Sequence, residues 1–240
     1  MSFETVLEAA RGGDPDAQVA MGYLFYKGEG VTQDRREAAR WFGLAADQGN
    51  AEALCNLGHM RAHGSGIRLD LQKAMELYLK SAELGYPQAM FNLGFMYTDV
   101  EGVEQNWVEG YRWYRASAEA GNLMGLYRAS VMEEEGRGIP QDVGRAVEGY
   151  RICAENGYHR ASVRLASMYL EGRGVGKDDR KAVSLLTKAA DDGYPEAMYM
   201  LGKMSLDGNG MVRSVNNARN WFRKAAARGS KEAEEALKNL

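Results

Sequence analysis

The side chains best equipped for chemistry stand in a row. Asn56, Asn92, Arg128 and Arg164 are spaced 36 residues apart. Amides in such a row can hydrogen-bond an extended peptide backbone, and guanidinium forks can hold carboxylates through two bonds. Arg160 precedes Arg164 by four residues and would deepen the positive patch. Two readings stay open for these arginines: capture of an anion or a peptide C-terminus, or internal pairing with Glu134, Glu135, Glu171 and Asp207. His59 and His63 are four apart, which is metal-ligand spacing on a helix. No third ligand is placed by sequence, and no His-Glu-x-x-His glutamate accompanies them, so groove-lining or solvated histidines are expected, with no metal and no cofactor. No Ser/His/Asp or Cys/His arrangement can be assembled, Cys153 falls in a column of small residues, and Glu133-Glu134-Glu135 reads as a charged helix end. No catalytic residue is assigned and the chain is read as a non-enzyme.

A repeat positions these groups. Glycine recurs at Gly13, Gly49, Gly85, Gly121, Gly157, Gly193 and Gly229, an unbroken interval of 36. Periods of this length mark arrays in which each unit buries its apolar face only against its neighbours. Every period predicts a first helix, a glycine turn and a second helix. In the first helix, columns such as Met21, Leu57, Leu93, Ala129, Leu165 and Leu201 cluster on one face. A small-residue column runs beside them: Gly22, Gly58, Gly94, Ser130, Ala166 and Gly202. Glycine inside a helix costs about 0.5–1 kcal/mol relative to alanine, so its recurrence predicts close approach of a partner helix.

The second helix supplies that partner through Phe42, Tyr78, Tyr114, Tyr150, Leu186 and Phe222. Asp34, Asp70, Asn106, Asp142, Asp178 and Ser214 stand where its N-caps belong. Turns such as Gly28-Glu29-Gly30-Val31 supply the helix-ending glycine. A phosphate loop would follow a strand, whereas this Gly-x-Gly follows a helix and recurs. Val100 replaces the first turn glycine of the third repeat and predicts an altered turn there. Gly149 stands where other repeats carry Trp or Leu, leaving a gap that a neighbour fills or that forms a pocket. The fold class expected is an all-α solenoid, one domain of six repeats over 13–228 with cap helices at 1–12 and 229–240.

The bulk numbers narrow the function classes. A net charge of −3 and no run of Lys and Arg give no electrostatic footprint for nucleic acid. No segment is long and apolar enough to span a bilayer, so no membrane partner is expected. Two cysteines in different columns read as reduced thiols. The first 16 residues lack a charged segment followed by an apolar run, so the chain reads as cytoplasmic, unless a leader has been trimmed.

The combined pattern Ala-x3-Leu-Gly-x2-Tyr/Met, Gly-x-Gly-Val-x2-Asp, Ala-x2-Trp-Phe-x2-Ala-Ala-x2-Gly resembles the Sel1-like repeat, a longer-turn relative of the tetratricopeptide repeat, over nearly the whole chain. The resemblance implies a right-handed superhelix and a non-enzymatic adaptor that binds a protein or peptide. Some bacterial members of that family are immunity proteins or enzyme inhibitors, which supplies the alternative. A secreted branch carries paired cysteines, which this chain lacks.

In tetratricopeptide-type superhelices the first helices line the concave surface. Carried to this chain, that face holds Tyr23, Asn56, His59, Phe91, Asn92, Phe95, Tyr127, Arg128, Arg160, Arg164 and Tyr199. Its Asn and Arg positions are similar to those of peptide-clamping tetratricopeptide proteins, without the full clamp. These columns vary from unit to unit where the structural columns repeat, as a non-periodic ligand would demand. Aromatic anchors beside polar groups suit recognition. Packing of Phe91, Phe95 and Tyr127 against neighbouring first helices is the competing reading. A monomer is expected, with dimerisation through a terminal helix as the other arrangement.

Overall fold

A computed structural model of the 240-residue chain describes residues 3–100 and 102–240. Met1 and Ser2, within the first cap helix expected over 1–12, lie outside them. The described residues form fourteen helices and no strands: α1 (Phe3–Arg11), α2 (Pro15–Lys27), α3 (Arg35–Asp47), α4 (Ala51–His63), α5 (Leu71–Glu83), α6 (Pro87–Asp99), α7 (Trp107–Glu119), α8 (Leu123–Glu135), α9 (Val143–Glu155), α10 (His159–Glu171), α11 (Asp179–Asp191), α12 (Pro195–Asp207), α13 (Val215–Ala226) and α14 (Lys231–Lys238). The fold is therefore an all-α array of two-helix repeats, in which α2, α4, α6, α8, α10 and α12 are first helices. Contacts divide it into two compact units, Met1–Gly125 and Leu126–Leu240.

Local chemistry sets the helix ends. Gly28, Gly64, Gly172 and Gly208 close first helices in the left-handed conformation, each donating its backbone N–H to the carbonyl of Leu24, Met60, Met168 or Met204. Val100 cannot follow without steric cost, and it leaves α6 extended, at φ −97° and ψ 119°. Asp34, Asp70, Asn106, Asp142, Asp178 and Ser214 all accept backbone N–H bonds from the first turn of the helix they precede. These bonds satisfy donors that the helix itself leaves unpaired.

Packing within each repeat matches small to large. A Cβ added to Gly22, Gly58 or Gly94 would lie 2.5, 2.9 or 2.7 Å from the ring of Phe42, Tyr78 or Tyr114. In the fifth repeat the aromatic shrinks to Leu186, and the small residue grows to Ala166. At Gly149 the neighbour fills the gap, because the Ser130 hydroxyl occupies the place a Cβ would take. Buried serines add polar stitches: Ser81 Oγ donates to the Ala51 carbonyl at 2.6 Å, and Ser117 Oγ to that of Pro87 at 2.8 Å.

The second glycine of the turn couples one repeat to the one before. A Cβ on Gly66 would stand 2.5 Å from the Arg35 carbonyl oxygen, and one on Gly210 would stand 2.5 Å from that of Asp179. At Gly30, in the first turn of the chain, nothing lies within 4 Å. The Gly-x-Gly motif is thus a seat for the preceding repeat's second helix.

Candidate functional site

The variable residues of the first helices are half-buried or exposed, as a recognition surface requires, but their polar ends are tied down differently in the two units. In the first unit the ties are neutral or carry a single charge. Tyr23 stacks edge-on against Phe42, with ring centroids 5.4 Å apart. Its hydroxyl donates to Glu52 Oε1 at 2.7 Å and accepts from Asn56 Nδ2 at 2.8 Å. Burial, then the bond to Glu52, raises the Tyr23 phenol far above its ordinary range. Asn92 accepts from Gln88 Nε2 at 3.0 Å and donates to Cys55 Sγ at 3.5 Å. The asparagines of the row therefore already spend hydrogen bonds inside the protein.

Phe91 leans on Tyr114 with centroids 5.5 Å apart, whereas Phe95 is 39% exposed. His59 and His63 stack at 4.2 Å, and His63 Nδ1 lies 2.9 Å from the His59 carbonyl. Partial burial, and then the neighbouring His63, lowers the His59 pKa and favours its neutral form. Cys55 is buried, and desolvation pushes its thiol up to about 12.

In the second unit the ties are ionic. Glu133 and Glu134 are 1% and 3% exposed, which corrects the reading of this stretch as a charged helix end. They occupy columns held by Phe25 and Tyr26, or by Tyr169 and Leu170, in other repeats. A buried carboxylate survives only when paired. Glu134 Oε1 receives Arg173 Nη1 at 2.6 Å and lies 3.6 Å from Arg164 Nη1, while Glu134 Oε2 accepts the Tyr150 hydroxyl at 2.5 Å. Glu133 Oε1 pairs with Arg145 Nε at 3.1 Å. Burial first, then Glu134, raises the Tyr150 phenol far above its ordinary range.

Arg164 therefore meets the second of its two expectations: it is paired internally, with Glu134 and, at 3.8 Å, Glu135. Glu171 pairs with Arg173 instead, at 3.1 Å. Arg160 differs from Arg164. It is exposed and hydrogen-bonds the Tyr194 hydroxyl. Tyr127 stacks on Tyr150 and Tyr158 with centroids 5.7 and 5.1 Å apart, and Tyr199 on Phe222 at 5.6 Å. Burial raises the Tyr158 pKa, with Arg160 and, more weakly, Arg128 opposing the rise.

These residues enclose a cleft of about 500 Å³, lined by Tyr127, Arg160, Val163, Arg164, Ser167, Tyr194, Glu196 and Met200. Sequence reasoning missed Tyr194 and Glu196. A signal existed for the tyrosine. The residue before each first helix is Asp14, Asn50, Tyr86, Asn122, Tyr158 or Tyr194. At Tyr86, Tyr158 and Tyr194 no side chain caps the helix, so a capping column has given up its structural bond to present a phenol. Among the described residues, no helix is long and apolar enough to cross a membrane.

The Sel1 repeat profile matches residues 15–50, 51–86, 87–122, 123–158, 159–194 and 195–230. No curated protein matches the chain in sequence. Among solved structures, a protective antigen of uropathogenic Escherichia coli displaying an SLR fold is 29% identical with a TM-score of 0.87. It matches 98% of this chain, which spans 50% of that one. A Sel1 repeat protein from Oxalobacter formigenes is 31% identical with a TM-score of 0.83, over 90% of this chain and 89% of the other. An immunity protein from Pseudomonas aeruginosa shares the fold at 18% identity and a TM-score of 0.58, over 91% of this chain and 82% of its own. With six matches tiled end to end across the chain, this protein belongs to the Sel1 repeat family.

Proposed function

We propose that this protein is a non-enzymatic scaffold that binds a protein or peptide on its first-helix face. Sel1 repeats generally serve protein–protein interaction. The observation that carries the reading is the contrast between columns. The same helices that bury a near-constant set, such as Met21, Leu93, Leu165 and Leu201, present a non-repeating row of half-exposed aromatic, amide and guanidinium groups. A scaffold needs the first set and has no use for variety in the second. Tyr23, Phe91, Tyr127 and Tyr199 stack on the core rings Phe42, Tyr114, Tyr150 and Phe222, a preorganisation that lowers the entropy lost on binding. A second reading, that the scaffold neutralises a single toxin or enzyme, follows the Pseudomonas aeruginosa immunity protein of similar fold. It uses the same face and differs only in the partner.

Arg164 is a poor probe, because replacing it also alters the ion pairing of buried Glu134. Phe95 and Arg160 are better, being exposed and free of buried ion pairs. Affinity capture from a lysate of the source cell is expected to recover a stoichiometric protein with the wild type, and to lose it with Phe95→Ala/Arg160→Ala at unchanged far-UV helicity. Its identity separates adaptor from inhibitor. Retention by the double variant would move the site off this face.

A further inference from the structure

The second repeat departs from its neighbours on the back of its first helix. At 100° per residue, Leu54, Leu57 and Arg61 fall on the face of α4 opposite Asn56 and His59, away from the first-helix row. Three departures coincide there. Leu77 stands where the first, third and sixth repeats carry Trp41, Trp113 and Trp221. Arg61 stands where Phe25, Tyr97 and Tyr169 do elsewhere. Leu84, 57% exposed, stands in a column that is otherwise polar or small: Gln48, Ala120, Asn156, Asp192 and Arg228. With the smaller side chain at 77, a cleft of about 540 Å³ opens between α4 and α5, beside the end of α3. That volume is within the range of small-molecule sites, about 300–1,000 Å³.

One end of this cleft is cationic. In the fourth repeat the columns of Arg61 and Lys73 hold Glu133 and Arg145, an ion pair at 3.1 Å. In the second repeat both positions are basic. Arg61 Nη1 donates to the Arg68 carbonyl at 3.3 Å, which orients the guanidinium, while Arg61 Nε is buried with no hydrogen-bond partner. Lys73 is met by Glu76 of its own helix in a half-exposed pair at 2.8 Å, a kind of contact that holds a lysine weakly. A half-buried guanidinium beside a second cation, in a column where aromatics suffice, does nothing for the scaffold.

We propose that this cleft binds a small organic anion with an apolar body, a carboxylate or phosphate carried on an alkyl chain. The anionic group lies between Arg61 and Lys73, and the chain runs over Leu57 and Leu77 toward Leu54 and Leu84. Asp47 and Glu83 stand at that far end and set the polarity by repelling the head group. From Lys73 to Glu83 the helix rises about 15 Å, room for a medium-length chain. Four leucines line the cleft and no aromatic ring does among the described residues, so a nucleobase has nothing to stack on.

The test is isothermal titration calorimetry of the full chain with octanoate, octyl phosphate, 1-octanol and inorganic phosphate. At least one octyl anion is expected to bind about tenfold or more tightly than octanol and inorganic phosphate, the scale of a charge-assisted hydrogen bond. Which of the two binds more tightly tells a carboxylate ligand from a phosphate one. Arg61→Gln is expected to reduce that anion's affinity to the level of octanol. Leu77→Trp, which installs the residue of three other repeats, is expected to abolish binding at unchanged far-UV helicity. Leu185→Trp, the same change in the fifth repeat, is expected to leave it intact. Octanol binding as tightly as the octyl anions overturns the proposal, as does inorganic phosphate binding as tightly as octyl phosphate. So does binding that survives Leu77→Trp, or no binding of either octyl anion.

Discussion

The two units fasten the same surface columns by different chemistry. In Met1–Gly125, Tyr23, Asn56 and Asn92 are held by partly exposed hydrogen bonds, with Glu52 a charged acceptor and Lys27 over the Tyr23 ring. In Leu126–Leu240, Arg164 is paired with Glu134, a carboxylate withdrawn from water, and Tyr127 stacks on Tyr150, whose hydroxyl donates to that same carboxylate. The helix caps and turn glycines are shared by both units, so the difference lies in the buried carboxylates that back the surface row. A repeat array can change what it presents, and how rigidly, without altering how it folds.

The largest effect that could break this comparison is in the ionic network. Replacing both Arg164 and Arg173 by alanine leaves Glu134 buried without a cation, at an expected cost of about 3–5 kcal/mol in urea unfolding. Asn56→Ala and Asn92→Ala in the first unit should cost about 1 kcal/mol each, the net worth of an ordinary hydrogen bond. Equal losses in the two units would erase the distinction.

A matched pair of tyrosines sharpens it. Tyr150 donates to the Glu134 carboxylate at 2.5 Å, whereas the Tyr114 hydroxyl meets the neutral Thr98 hydroxyl at 3.1 Å. Tyr150→Phe is expected to destabilise by about 2 kcal/mol and Tyr114→Phe by about 1 kcal/mol, since bonds to charged groups are the stronger. A thermal or urea midpoint that moves equally for both would contradict the ionic reading of the second unit.

The smallest effect is one of pH and belongs to the first unit. The folded-state pKa of His59 lies below its unfolded value near 6.5. The unfolded chain therefore binds the proton first, and the contribution of His59 is complete above the unfolded value and is lost as pH falls through the lower folded-state pKa. His59→Gln should flatten the decline in stability between pH 7 and mildly acidic pH. An unchanged slope would place the sensitive group elsewhere.

Most of the fold was legible because repetition makes structural demands visible. Six aspartates, asparagines and serines in register proved to be N-caps, and a column of glycines proved to face a column of rings. Val100 announced an altered end to α6. The site was legible only in part, because its residues are by nature the ones that do not repeat. The sequence placed Arg160 and Arg164 on one helix without saying which of them faces a buried carboxylate. That depended on the depth of Glu134, and a run of three glutamates normally signals solvent. Glu196 shares the column of Arg160 but was not singled out there, and Tyr194 showed only as a missing cap.

The most direct test of the binding face is hydroxyl-radical footprinting of the side chains, with and without the captured partner. Phe95, Tyr127 and Tyr199 report on the first helices, and Leu44, Leu79 and Ile152, about 40% exposed, report on the second. Protection of the first set with the second unchanged is the predicted result. Protection confined to Leu44, Leu79 and Ile152 would place the partner on the other helices and contradict the account.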